Sequence, residues 1–366
     1  MAEKLINKKY KVTAQILTPL HIGAGSEKDW VEGMDYLLRD GMLWHLDMNK
    51  MIEAGIDVNR MADLFVSGNA QSVDKLVGAK LQQVSDFHLE LPASSDNPIH
   101  SFLRNQLSGN PILAGSSLKG AIRSVLFNYL RDEEKRDNDV FGKINDGSNF
   151  MRYVRLSDIE FKQTELVNTK IYNLFRDGQD WSGGWKHNLQ GGNNPHYKPN
   201  GFNTIYECLV PTMSAEGTAL FADTLFAQFS GQQPKADKKN EIMKSRNIAN
   251  AICDIINNHT FEYLNKEAEF FDEYSQGEYA PRIIKSIDQL QDIIDECNDN
   301  ECVIKMSAGA GFHSITGDWQ FDDYTNTGEW EFGRNAGKKK YKSRKIAIWG
   351  QKMSLMGLVK LTFTEE

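Results

Sequence analysis

The stretch ILAGSSLKGAIRSVLF (residues 112–127) places Ser116 and Ser117 directly ahead of a run with helical spacing that carries Lys119 and Arg123. Serine hydroxyls at the start of a helix can cap its free amides. The same arrangement, with small residues around the helix start and two cations in its first turns, can also bind a phosphate, because amide groups and the positive end of the helix dipole converge there. Both interpretations predict a helix that starts near Ser117.

Two further glycine loops follow predicted strands. Their candidate contact residues are His21, Gly23 and Gly25 in HIGAG, and Gly309, Gly311 and His313 in SAGAGFHS. None of the three loops has the spacing of a nucleotide-binding motif, since GSSLKGA lacks the hydroxyl after its lysine and GAGSEK lacks a third glycine. The sequence therefore disfavours an NTPase or a dehydrogenase, and the phosphate backbone of RNA is the natural ligand for such loops.

Cysteine and histidine usage predicts no metal site and no cofactor. The four cysteines contain no CxxC pair, and the eight histidines show neither HxxxH nor HExxH spacing. We expect the cysteines to be reduced and structural.

Charge is distributed unevenly along the chain. The net charge is −8, but residues 262–301 hold twelve acidic and three basic side chains, so the remainder carries about +1. The run RNAGKKKYKSRK (residues 334–345) has seven cations and no acid, and Lys338 and Lys339 are its candidate RNA contacts. Taken alone, such a run is typical of a solvated loop.

Hydrophobic patterning predicts an α+β fold of two units. Residues 10–17 alternate as a strand, and MDYLLRDGMLWHLDMNKM predicts a hairpin that turns at Asp40 and Gly41. Helical spacing predicts an inserted lobe at about 48–110 and two helices at about 239–275 and 281–298. Residues 176–202 are rich in glycine and asparagine and predict a long loop. We place one domain at 1–165 and the second at 166–366.

No membrane or secretion signal is expected. The chain has no apolar run of 18 residues, and its first ten residues lack an apolar signal core. We therefore expect a cytoplasmic protein with no membrane partner.

The motifs TPLHIGAG and GSSLKGAIR together resemble the paired signature of RAMP proteins in type III CRISPR effector complexes. Within that superfamily, the DY…G…D…K pattern of MDYLLRDGMLWHLDMNKM, the late SAGAGFHS loop and the terminal SLMGLVKL resemble the family of the fifth Csm subunit of type III-A complexes. One departure is ILAG, where the family usually has a proline before the glycine.

The resemblance implies tandem ferredoxin-like, RRM-derived domains whose glycine loops contact the guide RNA (crRNA). It implies a non-catalytic subunit that caps the 3′ side of the guide and contributes to guide maturation and complex assembly in antiviral defence. The implied partners are crRNA, the neighbouring backbone RAMP subunit and the small subunit, with target RNA and host nucleases as further candidates.

Two alternatives remain open. His21 or Asp35 could serve a metal-independent endoribonuclease of the same superfamily, with His21 as a general acid or base. Alternatively, the acidic helices at 239–298 could form a protein-interaction module for a basic partner.

Overall fold

The computed structural model describes residues 8–67, 70–94, 98–134, 136–177, 180–187, 196–201, 203–229, 231, 233–274, 277–306 and 343–366. The strands are β1 (Lys8–Ile16), β2 (Tyr36–Arg39), β3 (Met42–Leu46), β4 (Ser85–Glu90), β5 (Ile112–Leu113), β6 (Val154–Leu156), β7 (Ile159–Glu160), β8 (Glu165–Asp177), β9 (Asp180–Trp185), β10 (Thr204–Cys208), β11 (Ser214–Phe221), β12 (Glu301–Lys305), β13 (Ser343–Trp349), β14 (Lys352–Ser354) and β15 (Leu358–Glu365). The α-helices are α1 (Met48–Glu53), α2 (Val58–Val66), α3 (Ala70–Val77), α4 (Leu81–Val84), α5 (Gly115–Leu130), α6 (Asp137–Phe141), α7 (Asp223–Phe229), α8 (Ala236–Met243), α9 (Ile248–Tyr274) and α10 (Ala280–Asp295).

The strand predicted at residues 10–17 lies at the centre of a five-stranded antiparallel sheet with the order β12-β15-β1-β11-β6. Its alternating residues Tyr10, Val12, Ala14 and Ile16 are all buried, as the pattern requires. The strands β15-β1-β11-β6, with α5 between β1 and β6 and α9 after β11, have the order and connections of a ferredoxin-like unit. The predicted α+β fold class is confirmed.

A second antiparallel sheet, β10-β8-β13-β14 with β9 beside β8, packs on the last turns of α9 and on α10. Its apolar core includes Tyr172, Trp185, Phe270 and Ile287. Strand pairing crosses the proposed boundary at 165/166, because β1 pairs with both β11 and β15. The division into two domains stays a prediction.

The predicted hairpin forms as β2 and β3, with Asp40 and Gly41 at the turn. Helices α1–α4 follow and bury Met51, Met61 and Val73 against it. The helical lobe is shorter than predicted, since residues 85–90 form β4, which pairs with β3 and closes a three-stranded sheet.

Two further predictions are wrong in part. Residues 180–185 of the predicted loop 176–202 form β9, because Trp185 is buried against Tyr172 at a ring distance of 5.3 Å. The helix predicted at 239–275 is divided into α8 and α9, because the Asn247 side chain accepts hydrogen bonds from the amides of Ala249 and Asn250 and so caps α9.

Among the described helices, none is long and apolar enough to cross a bilayer. Within the described ranges, no three His, Cys, Asp or Glu side chains are grouped as metal ligands. The four cysteines are free thiols.

Candidate nucleic-acid interface

The two predicted signature motifs lie at the same end of one small sheet. In sequence, 91 residues separate Gly25 of the first motif from Ser116 of the second. Ile22, Leu103 and Ile112 lie at one level on three adjacent extended segments, joined by hydrogen bonds from Leu103 N to Ile22 O (2.8 Å) and from Ile112 N to Leu103 O (3.0 Å). Each outer segment is antiparallel to the middle one. The outer two therefore run in the same direction, about 10 Å apart, which is two strand spacings.

The glycine loop that follows Ile22 is accessible. Gly23 and Gly25 are exposed, and Lys28, three residues further on, is exposed as well. Hydrogen bonds fix the loop to the neighbouring segment, with Ala24 N donating to Ser101 O at 3.2 Å. The loop backbone and the Lys28 side chain are therefore accessible to solvent.

Helix α5 begins at Gly115, and neither serine caps it. Its first amide, Gly115 N, donates to the carboxylate of Asp158 at 2.7 Å. A Cβ at position 115 would lie 2.5 Å from Leu156 O, so the glycine is needed for close contact with the chain between β6 and β7. The helix begins two residues before the predicted start near Ser117. The prediction of serine capping is wrong, because Asp158, an acid distant in sequence, takes the capping role. Ser116 is exposed and Ser117 is half-buried, both in the first turn.

Two cations are available beside this helix start. Lys119 is half-buried, and burial, with Arg155 and Arg123 nearby, lowers its pKa. Arg155 is exposed on β6 and was missed by sequence reasoning, although alternation with the buried Val154 could have indicated it. Arg123 is engaged elsewhere, since it pairs with Asp137 and lies over the Phe141 ring at 5.1 Å.

His21 is a buried histidine that holds the loop in place. It is 3% exposed, and its Nδ1–H donates to the carbonyl of Glu207 at 2.7 Å. Burial lowers its pKa to about 4, so the ring is neutral at pH 7. Its ring packs edge-on against Tyr206 at 4.8 Å.

A second histidine, which the sequence did not single out, lies beside the same loop and is more accessible. His100 Nδ1 is 2.8 Å from a carboxylate oxygen of Asp29, and the ring lies on Tyr206 at 4.3 Å. The Tyr206 hydroxyl contacts Lys345, whose pKa burial lowers to about 8. A carboxylate that orients a histidine is an arrangement that proton transfer can use.

Asp35 stabilises the turn that precedes β2. Its carboxylate accepts a hydrogen bond from Val31 N at 2.8 Å, and its carbonyl accepts one from Leu46 N at 2.8 Å. These contacts fix the chain at the start of β2.

The remaining predicted contacts lie outside the described residues: Gly309, Gly311, His313, Lys338 and Lys339. The end of the basic run is described and is not a solvated loop. Arg344 is 2% exposed on β13 and its Nε donates to Glu267 at 2.5 Å, while Lys345 contacts Tyr206. These two cations serve packing within the protein.

Comparisons with known proteins give one family model and similar solved structures. A family model described as the RAMP superfamily matches residues 13–297. A chain in the cryo-EM structure of a Csm-crRNA-target RNA ternary complex of a type III-A CRISPR-Cas system is similar at 15% identity, covering 97% of this chain and 100% of that one, with a TM-score of 0.66. The crystal structure of T. onnurineus Csm5 is similar at 14% identity, covering 95% and 99%, with a TM-score of 0.60. No curated protein matches the sequence. At these identities the structural likeness concerns the fold.

Proposed function

The chain belongs to the RAMP superfamily, and from that premise we propose that it is a non-catalytic crRNA-binding subunit of a type III-A CRISPR effector complex. It caps the 3′ side of the guide and contributes to guide maturation and complex assembly in antiviral defence in the cytoplasm. Its partners are crRNA, the backbone RAMP subunit and the small subunit, with target RNA and host nucleases as transient partners.

The observation that carries this proposal is the convergence of the two signature motifs at one end of a small sheet. There the exposed backbone at Gly23 and Gly25 lies on the same side as the start of α5, with Lys119 and Arg155 beside it. Backbone amides and cations contact phosphates and carry no base information. The surface is therefore suited to hold a guide of any sequence.

Two features support a binding role without catalysis. His21 is buried, neutral and bonded to Glu207, and the carboxylate of Asp35 is used by Val31. Neither side chain is free to reach a ribose 2′-hydroxyl in this arrangement. The second candidate function, a metal-independent endoribonuclease, is favoured by the accessible His100–Asp29 pair.

RNA binding is tested with the full chain and a labelled repeat-spacer RNA, by anisotropy across a salt series. The double variant Lys119→Ala/Arg155→Ala removes two phosphate contacts, so the slope of log K against log salt should fall by about 1.4, at about 0.7 per single-strand contact. The matched control Arg60→Ala/Lys75→Ala removes the same charge from exposed positions on α2 and α3 and should leave the slope unchanged. Equal slopes for both double variants would refute the proposed interface.

Catalysis is tested by incubating the chain with the same RNA in EDTA. We expect intact RNA. Cleavage that disappears in His100→Ala or His21→Ala would refute the non-catalytic role and support the endoribonuclease.

A further inference from the structure

A large groove opens beside the glycine loop. It has a volume of about 1950 Å³ and lies between β4, the segment 101–110, the start of β8 and the turn between β13 and β14. Ala24 and Lys28 line it, so it is continuous with the glycine loop. Small-molecule sites measure about 300–1,000 Å³. The size and open shape of this groove favour a polymer.

The lysines of the groove and most of its acidic side chains lie on different parts of the chain. Lys28, Lys162 and Lys352 are exposed, come from three different elements, and have no side-chain partner among the described residues. Three of the acids, Asp47, Asp86 and Glu90, instead lie on β4 or just after β3. The fourth acid, Glu165, accepts a hydrogen bond from Trp349 at 2.9 Å.

The β4 side of the groove also carries aromatic rings. Phe87 stacks on His45 at 4.7 Å with an interplanar angle of 8°, and the Arg104 guanidinium lies 4.6 Å from the Phe87 ring centre. The exposed His88 also lines the groove, but its ring stacks on Trp44 at 4.7 Å on the other face of the β3–β4 pair. The Phe87 ring is therefore held between His45 and Arg104. A cationic rim beside such a fixed wall suits a single strand, because lysines can follow its backbone while its bases face β4.

We propose that this groove binds a second stretch of single-stranded RNA, continuous with the strand held at the glycine loop. The phosphates lie along Lys28, Lys162 and Lys352, and the bases face β4. On that side Asp47 already accepts a hydrogen bond from Lys50 N, and Asp86 pairs with Lys50. The exposed carboxylate of Glu90 can accept hydrogen bonds from base amino groups, as acids do from cytosine. The side chains of an acidic peptide offer no donor to that carboxylate. The inference rests on the proposed function and names a second RNA site in addition to the α5 site.

The test uses the full chain, the triple variant Lys28→Ala/Lys162→Ala/Lys352→Ala and a matched control, Lys75→Ala/Lys244→Ala/Lys285→Ala, which removes three exposed lysines outside the groove. The probes are unstructured labelled RNAs of two lengths, a short one that one site can hold and a long one that can span both. The groove variant should lose at least tenfold in affinity for the long RNA, and its salt slope should fall by about 2. The control should match the unaltered chain. All six lysines are exposed, so urea midpoints should stay unchanged.

The Lys119→Ala/Arg155→Ala variant, measured in parallel, separates the two proposals. If it binds weakly while the groove variant binds normally, the groove inference is wrong and the proposed function stands. If neither variant loses affinity, the proposed function fails as well.

Crosslinking gives an independent result. RNA containing 4-thiouridine should crosslink to the β4 peptide that carries Phe87 and His88. Crosslinks confined to residues 114–123, or displacement of the long RNA from the groove by a polyglutamate peptide, would overturn the inference.

Discussion

The carboxylate of Asp158 accepts a hydrogen bond from the amide of Gly115 at 2.7 Å, so the helix that carries the GSSLKG motif is capped by a residue 43 positions later in the chain. An anion supplied by the protein thus occupies one of the free amides at the helix start. The exposed Ser116 and the half-buried Lys119 lie in the same first turns of the helix.

Asp158→Ala should lower the free energy of unfolding by about 1 kcal/mol, the usual effect of losing a helix cap. Urea denaturation of the full chain measures it. Ser117→Ala is the internal control and should change stability by much less, since the Ser117 side chain does not cap the helix. The opposite ranking of the two variants would mean that the serine is the cap.

Gly115 and Gly120 form a matched pair on α5. Gly115→Ala should destabilise the protein by about 2 kcal/mol, because the new Cβ would overlap the carbonyl oxygens of Leu156 and Ser157 at 2.5 and 2.7 Å. Gly120→Ala should stabilise it by up to about 1 kcal/mol, because nothing lies within 4 Å and alanine favours the helix. Urea midpoints of the two variants should therefore move in opposite directions, and a parallel shift would contradict the packing described.

Local patterns were sufficient where a contact is set within a few residues. Alternation identified β1, and the Asp40-Gly41 pair identified the hairpin. The position of the Asp158 cap could not be predicted, because it depends on how β6 and β7 pack on α5. The segment DWSGGW predicts a loop because its glycines have a weak strand preference. It forms β9 because burial of Trp185 against Tyr172 outweighs that preference, and this contact depends on the tertiary structure.

The site shows the same division. Both motifs and Lys119 can be proposed as RNA contacts from the sequence. Arg155 comes beside Lys119 only through the fold, and Arg123 pairs with Asp137 instead. At the end of the basic run, Arg344 pairs with Glu267 and Lys345 contacts the Tyr206 hydroxyl. Which charges remain free is a property of the tertiary structure.

Glu267 and Arg344 form a buried ion pair between α9 and β13, with both side chains 2% exposed. Glu267→Gln should destabilise the chain by about 3–5 kcal/mol, because it removes the carboxylate of a buried ion pair and leaves a neutral amide against the Arg344 guanidinium. Glu366→Ala removes the exposed partner of Lys9 and should cost less than about 1 kcal/mol. Urea denaturation of both variants makes the comparison, and equal small effects would contradict the expected cost of breaking the buried pair.

His21 makes stability depend on pH in a defined window. Its pKa is lowered from 6.5 to about 4 in the folded chain, so between these values the unfolded state binds more protons and stability falls as the pH falls. Between pH 7.5 and pH 5 the contribution of this residue amounts to about 2 kcal/mol. His21→Asn keeps a side-chain donor for the Glu207 carbonyl and cannot titrate, so its stability should fall less over the same interval. His45, whose pKa burial also lowers to about 4, titrates in both proteins and cancels in the comparison. Urea unfolding of both chains at the two pH values measures the difference, and identical pH dependence would mean that the pKa of His21 is the same in the folded and the unfolded chain.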